Sequence, residues 1–167
     1  MVRPPPYETF QKKESEMQIE KSVYLIGSLR QPERVQAVAK TYREQGWDVF
    51  DDWLAAGPEA DDYWQKYENN RGRGVKEALK GYAARHVYNY DKSHLERCGM
   101  GLLVLPAGKS GHLELGYLIG RGKPGFILLD GEPERFDVMY NFADAIFTNI
   151  DEAIYTMDKF AVLPKRN

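Results

Sequence analysis

The run from Leu102 to Leu129 limits the fold more than any other part of the chain. It reads Leu-Leu-Val-Leu-Pro-Ala-Gly-Lys-Ser-Gly-His-Leu-Glu-Leu-Gly-Tyr-Leu-Ile-Gly-Arg-Gly-Lys-Pro-Gly-Phe-Ile-Leu-Leu. An apolar run, Leu102 to Leu105, leads into a Pro/Gly/Ser loop. Apolar residues then recur at helical spacing until Gly122 and Pro124 break the pattern, and Phe126 to Leu129 forms a second apolar run. This is the pattern of a strand, a loop, a helix and a strand, the sequence form of a parallel crossover. Parallel strands need helices on both faces of their sheet, so the rest of the chain must supply them. Glu114 is expected in the first turn of the crossover helix, directly after a loop suited to gripping an anion.

The remaining segments fit that demand. Ser22 to Gly27 is a short β-rich run ending in glycine, and Ser28-Leu29-Arg30-Gln31-Pro32 follows as a loop. Val35, Val38, Ala39 and Tyr42 repeat at helical spacing up to Gly46, and Trp47 to Phe50 is expected as the second strand. Residues 55–90 are too long for a simple crossover and are expected to form a helical insert, a wall or lid over a site. The insert has helical spacing over Glu59–Tyr67, a basic break at Asn69–Gly74, and a helix from Val75 to about Arg97 interrupted near Gly81. Tyr63, Trp64 and Tyr67 read as core aromatics, with stacking on a flat ring as the alternative. Arg71 and Arg73 read as solvated. Further on, Glu134–Asn141 is expected as a short helix, Ala145–Thr148 as a fifth strand, and Ile150–Phe160 as a terminal helix burying Ile154 and Met157. The expectation is an α/β fold: a five-stranded parallel sheet in a Rossmann-like or flavodoxin-like three-layer sandwich. Residues 21–167 make one domain, and residues 1–20 a poorly ordered or subunit-contact arm.

Composition narrows the function classes. With 167 residues and 43% hydrophobic content the chain can bury a full core. A formal charge of −2 argues against a nucleic-acid polymer as partner. Cys98 is the only cysteine, so no internal disulfide forms. No apolar stretch has the length of a membrane span, and the N-terminus lacks a signal-peptide core. A cytoplasmic protein that avoids membranes is expected.

The chemistry-bearing residues cluster where the strands should end. Gly27, Ser28, Leu29 and Arg30 lie in the first loop, which lacks both the dinucleotide glycine pattern and a Gly-Lys-Ser/Thr end. The loop is either an anion grip or carries a merely solvated arginine. Asp52 and Trp53 follow the second strand, where a ligand or a turn would use them. Gly108, Lys109, Ser110, Gly111 and His112 precede Glu114 and suit a phosphate or carboxylate. The helix dipole would favour an ionised Glu114, a candidate nucleophile; the bland alternative is a helix residue matched to the dipole. His86, His94 and His112 have no metal-type spacing, so neither a metal nor a cofactor is expected.

Three of these segments together resemble a known family. Val23-Tyr24-Leu25-Ile26-Gly27-Ser28-Leu29-Arg30 is similar to the opening strand and loop of the nucleoside 2-deoxyribosyltransferases, including their Rcl-type nucleotide N-glycosidase branch. Asp91-x-x-His94-Leu95 resembles that family's Asp-x-x-x-Leu helix, and Glu114-Leu115-Gly116 its Glu-Leu-Gly. The order and spacing agree over residues 23–130. The resemblance implies reaction at the N-glycosidic bond of a nucleoside or nucleoside 5′-monophosphate. Glu114 would be the nucleophile, Asp91 the proton-handling group, and Tyr24 the holder of Glu114. Gly27, Ser28, Arg30, Gly108 and Ser110 would surround a 5′-phosphate, and Trp53 or an insert aromatic would stack on the base. The aromatic-rich helices and the N-terminal arm point to a homodimer or higher oligomer, and the resemblance implies that a neighbouring subunit lends a residue near Met139–Asn141. The longer insert and the unmatched Lys109 and His112 depart from the family. They leave open a nucleotide-sensing module without turnover, or a glycohydrolase acting on a dinucleotide of the NAD type.

Overall fold

The computed structural model describes residues 19–162. The expected N-terminal arm lies outside them, apart from Ile19–Glu20 (β1), which pairs in parallel with Ala161–Val162 (β7). The main sheet holds Ser22–Ile26 (β2), Asp48–Phe50 (β3), Met100–Val104 (β4), Gly125–Leu128 (β5) and Ala145–Phe147 (β6). All five strands run parallel in the order β3-β2-β4-β5-β6. The helices are Pro32–Glu44 (α1), Ala60–Asn70 (α2), Val75–Ala78 (α3), Tyr82–Arg97 (α4), Lys109–Gly120 (α5) and Ile150–Phe160 (α6). Strand order reverses between β2 and β4, so the crevice beyond their carboxyl ends is where this topology admits a ligand.

β2 shows why both faces must be covered. All five of its side chains are buried, as a central parallel strand requires. Val23 and Leu25 face one core with Val35, Val38, Ala39 and Tyr42 of α1 and Ala153, Ile154, Met157 and Phe160 of α6. Tyr24 and Ile26 face the other with Leu95 of α4 and Leu115 and Leu118 of α5. Pleat parity alone therefore sends Tyr24 toward α4 and α5. Burying each large apolar side chain is worth roughly 1.5–3 kcal/mol, which strongly opposes a register slip of β2.

Three segments differ from expectation. Residues 134–137 are not helical, and only a 3₁₀ turn, Val138–Phe142, follows. The Asp137 carboxylate accepts the Met139 N–H at 2.8 Å, so it caps a tight turn and not a longer helix. The insert tyrosines are not core, Tyr63 being 66% and Tyr67 53% exposed, whereas Trp64 is half-buried with its indole nitrogen out of solvent. The residue that α2 buries is Glu68. Its carboxylate accepts from Arg73 Nη1 at 3.2 Å, so Arg73 is paired and not merely solvated. Removing one member of such a pair strands a buried charge.

Gly27, just past β2, marks a close approach. A Cβ there would lie 2.7 Å from Val35 Cγ2. Val35 is β-branched and fully packed, so it cannot swing away. Gly27→Ala is expected to cost about 1–3 kcal/mol by overpacking. Adding Val35→Ala should recover part of that loss. Urea midpoints of the two variants and the parent measure it.

Candidate active site

Tyr24, Asp91 and Glu114 reach one place from three elements. Tyr24 comes from the middle of β2, and its hydroxyl donates to Glu114 Oε1 at 3.4 Å. Asp91 lies on the sheet-facing side of α4, half-buried. Glu114 is carried in by α5, which approaches the sheet through Gly111. A Cβ on Gly111 would lie 3.0 Å from Ile26 Cγ2 and 3.2 Å from Leu103 Cδ1, so a small residue there lets the helix sit low over β2 and β4.

Glu114 is not in the first helical turn. α5 begins at Lys109, which places Glu114 in the second turn, beyond the strongest reach of the helix dipole. The expected bias toward ionisation is reversed. Burial, then the charge of Asp91, push the Glu114 carboxyl up to about 7, and the Tyr24 hydrogen bond opposes them only in part. The Asp91 carboxyl is also raised, mainly by burial, with His94 pulling the other way. The Tyr24 phenol is driven far above its ordinary range by burial, then by Glu114 and Asp91. The three groups thus sense one another in a partly dry place, the arrangement that shifts acid–base groups at functional sites.

The flanking loops divide into structural and exposed parts. The indole N–H of Trp53 donates to the Leu25 carbonyl at 2.8 Å, and its ring lies over Gly27. Ser28 Oγ accepts the Arg30 N–H at 3.2 Å, and the Ser28 carbonyl accepts the Gln31 N–H at 3.0 Å. Leu29 is half-buried. Arg30 is exposed and reaches Asp62 Oδ2 of α2 at 3.4 Å. Asp52 is exposed, whereas Asp51 is buried against the Arg43 guanidinium. In the second loop, Gly108 caps α5, and Lys109 and Ser110 are exposed. His112 Nδ1 donates to the Gly108 carbonyl at 2.8 Å and its ring stacks on Tyr140 at 6.1 Å. His112 therefore borders a hollow of about 630 Å³, lined also by Leu115, Ile119, Met139 and Phe142, which does not include Glu114.

Sequence reasoning missed Arg34. Its Nε donates to the Leu105 carbonyl at 2.6 Å and its Nη2 to the Leu129 carbonyl at 2.9 Å, while Nη1 pairs with Asp130 at 3.0 Å. It ties the ends of β4 and β5 beside the loop that opens α5. No spacing rule marks such a residue. Phe50, Tyr90 and His94 were also missed as neighbours of Tyr24 and Asp91. The i, i+4 placement of Tyr90 and His94 around Asp91 was the available signal. Among the described residues no group of three or more His, Cys, Asp or Glu side chains is arranged to hold a metal ion. No helix among them is long and apolar enough to cross a membrane.

The raised carboxyl links site and stability. Glu114 binds its proton more tightly folded than unfolded, where its ordinary value is 4.5. That contribution is fully present below 4.5 and is lost as pH rises through about 7. Glu114→Gln cannot ionise, so it should be more stable than the parent above pH 7 by on the order of 2 kcal/mol. The two should converge near pH 4, about where the unfolded carboxyl titrates. Urea unfolding at acid and alkaline pH reads the difference.

No family model matches the chain, and no curated protein matches it. Solved structures do. The chain is similar to the CMP N-glycosidase BcmB of Clostridium botulinum, with 15% identity and a TM-score of 0.50 over 82% of this chain and 98% of that one. It is also similar to a 2-deoxyribosyltransferase of Bacillus psychrosaccharolyticus, with 18% identity and a TM-score of 0.56 over 87% and 99%. At these identities the likeness is one of fold: the chain has the three-layer α/β fold of those two enzymes.

Proposed function

We propose that the protein is an enzyme that cleaves or transfers at the N-glycosidic bond of a nucleoside or nucleoside 5′-monophosphate. The observation that carries this reading is the meeting of Tyr24, Asp91 and Glu114 beside the β2/β4 switch point. The fold shared with a CMP N-glycosidase and a 2-deoxyribosyltransferase supports it.

In this reading a carboxylate oxygen of Glu114 attacks the anomeric carbon. The bond from that carbon to the base nitrogen breaks, and its electron pair leaves with the base. Asp91 delivers a proton to the departing base. The Tyr24 hydroxyl holds Glu114 on line and stabilises its ionised form. The glycosyl ester on Glu114 is then opened by water, which returns a proton to Asp91, or by a second base. The loops Gly27–Arg30 and Gly108–Ser110 embrace the far end of the sugar, with Arg30, Ser110 and Lys109 exposed there to meet a 5′-phosphate. Asp52 and Trp53 complete the walls, whereas Gly111 seats α5 on the sheet and His112 borders the separate hollow. A second copy of the chain supplies the Met139–Asn141 region to its neighbour's site.

The test is chromatography for free base after incubation with deoxynucleosides, deoxynucleoside and ribonucleoside 5′-monophosphates, and NAD. Base release from a member of the panel is expected, and Glu114→Ala should reduce it by a factor of at least 10³ while the circular dichroism spectrum is kept. Undiminished release by that variant overturns the nucleophile, and tight binding with no release over hours favours a sensing module.

Arg30→Ala separates the two substrate classes. It should raise KM about tenfold for a 5′-monophosphate and leave the matching nucleoside within about twofold. Initial rates on a paired nucleoside and nucleotide measure this.

A further inference from the structure

Four rings connect the two candidate carboxylates without touching the exposed loops. Phe50 of β3 is 2% exposed and stands between β2 and α4. Its ring centroid lies 4.9 Å from that of Tyr24, tilted at 36°. On its other side His94 stacks flat on it, at 4.0 Å and 9°. Tyr90 closes against both, 5.9 Å from Phe50 and 4.7 Å from His94. Tyr90 immediately precedes Asp91, and His94 follows it by nearly one turn, so the rings grip α4 on both sides of that carboxylate. The same stack abuts the phenol whose hydroxyl meets Glu114.

Aromatic pairs have preferred centroid spacings and orientations, so a ring clamped between two others holds them apart at a set distance. Phe50 thus sets how far α4 stands from β2. That separation fixes the distance between Asp91 and the Tyr24–Glu114 pair. The ionisable groups facing Glu114 are Tyr24 from β2 and Asp91 from α4, and His94 faces Asp91 from α4 itself. Arg97 Nε donates to His94 Nδ1 at 3.4 Å and its Nη1 is held by Asp48 at 2.6 Å. That contact orients the His94 ring for stacking.

We propose that Phe50, clamped between Tyr24 and His94, is a positioning residue that holds Asp91 and the Tyr24–Glu114 pair at their working separation. It touches no substrate atom, and its effect passes through Tyr24 and α4. The catalytic part of this inference rests on the glycosidic reading above, whereas the positioning part does not.

The experiment has two arms. In the first, Phe50→Leu, His94→Ala and His94→Phe are assayed for base release with the substrate that the panel identifies. Phe50→Leu should lower kcat at least tenfold with KM within about twofold, His94→Ala should fall between it and the parent, and His94→Phe, which keeps a ring in the stack, should stay within threefold of the parent. In the second, the Glu114 carboxyl is titrated by carbon-13 NMR in protein labelled at glutamate, the signal being identified by its loss in Glu114→Gln. Tyr24→Phe should raise the Glu114 midpoint in the parent, because a bond favouring the ionised form is gone. The same change made in Phe50→Leu should move it by less than half as much. If Phe50→Leu does not fold, His94→Ala replaces it in both arms. An unchanged Tyr24→Phe response, or a wild-type kcat in a folded Phe50→Leu protein, overturns the proposal. If the parent releases no base from any substrate, the glycosidic reading fails, and the titration arm alone decides whether Phe50 positions the pair.

Discussion

The closeness of α5 to the sheet is the constraint on which the site depends. The helix is let in by residues without side chains on both partners. Gly111 faces Ile26 and Leu103, a Cβ on Gly101 would fall 2.6 Å from Leu118 Cδ1, and one on Gly125 would fall 2.6 Å from Ile119 Cγ1. Filling any of these positions would push the helix outward or force its neighbours off their rotamers. Because α5 lies so low, Glu114 arrives within 3.4 Å of a phenol rooted in the centre of β2. A carboxylate at an ordinary helix surface would be hydrated. Here the same burial that packs Leu115 and Leu118 also strips water from Glu114.

The electrostatics follow from what surrounds that carboxylate and where the cations go. Glu114 is perturbed by burial and by another carboxylate, with only a neutral hydroxyl to favour its charge. No Arg or Lys is among the groups that act on Glu114, and three basic side chains of the surrounding elements are held elsewhere. Arg34 spends its donors on the ends of β4 and β5 and on Asp130. Arg97 pairs with Asp48, and Lys123 caps the carbonyls of Glu96 and Cys98 at the end of α4. A place holding two carboxylates and a phenol, with no Arg or Lys acting on Glu114, suits a transition state that gains positive charge. Oxocarbenium-like chemistry at a sugar carbon has that character, whereas stabilising a developing anion would call for free donors.

Strong periodicity made most of the scaffold readable from the sequence. The β2, β4 and β5 strands are buried throughout and, Ser22 apart, carry no strongly polar side chain, as strands covered on both faces require. The terminal helix over Ile150–Phe160 is found at the expected positions, with Ile154 and Met157 buried. Glu114 was placed one turn too early because loop residues Lys109 and Ser110 already belong to the helix, and glycine-rich starts give no sharp boundary. Its raised pKa was not legible, since burial depends on how low α5 sits, and that depends on contacts between segments distant in sequence. The insert was the least readable part. Its helices were recognisable from spacing, yet the inward side of α2 carries the Glu68–Arg73 pair beside the half-buried Trp64 and not Tyr63 or Tyr67. Hydrophobicity misleads where a buried ion pair takes the place of an apolar anchor.

Rigidity is unevenly distributed, and that division has a consequence for how such a protein changes specificity. Tyr24, Asp91 and Glu114 all sit on regular elements whose positions are fixed by buried strands and close helix contacts. The parts that the proposed reaction would use to hold the rest of a substrate sit on loops and on the insert. One side-chain link between the first loop and α2 is the Arg30–Asp62 pair, exposed on both sides and worth at most about 1 kcal/mol. A substitution in the loops or in α2 can therefore alter what is recognised while the three converging side chains keep their geometry. The reverse does not hold, because a change at Gly111 or Phe50 moves a helix and disturbs the site whatever the loops grip.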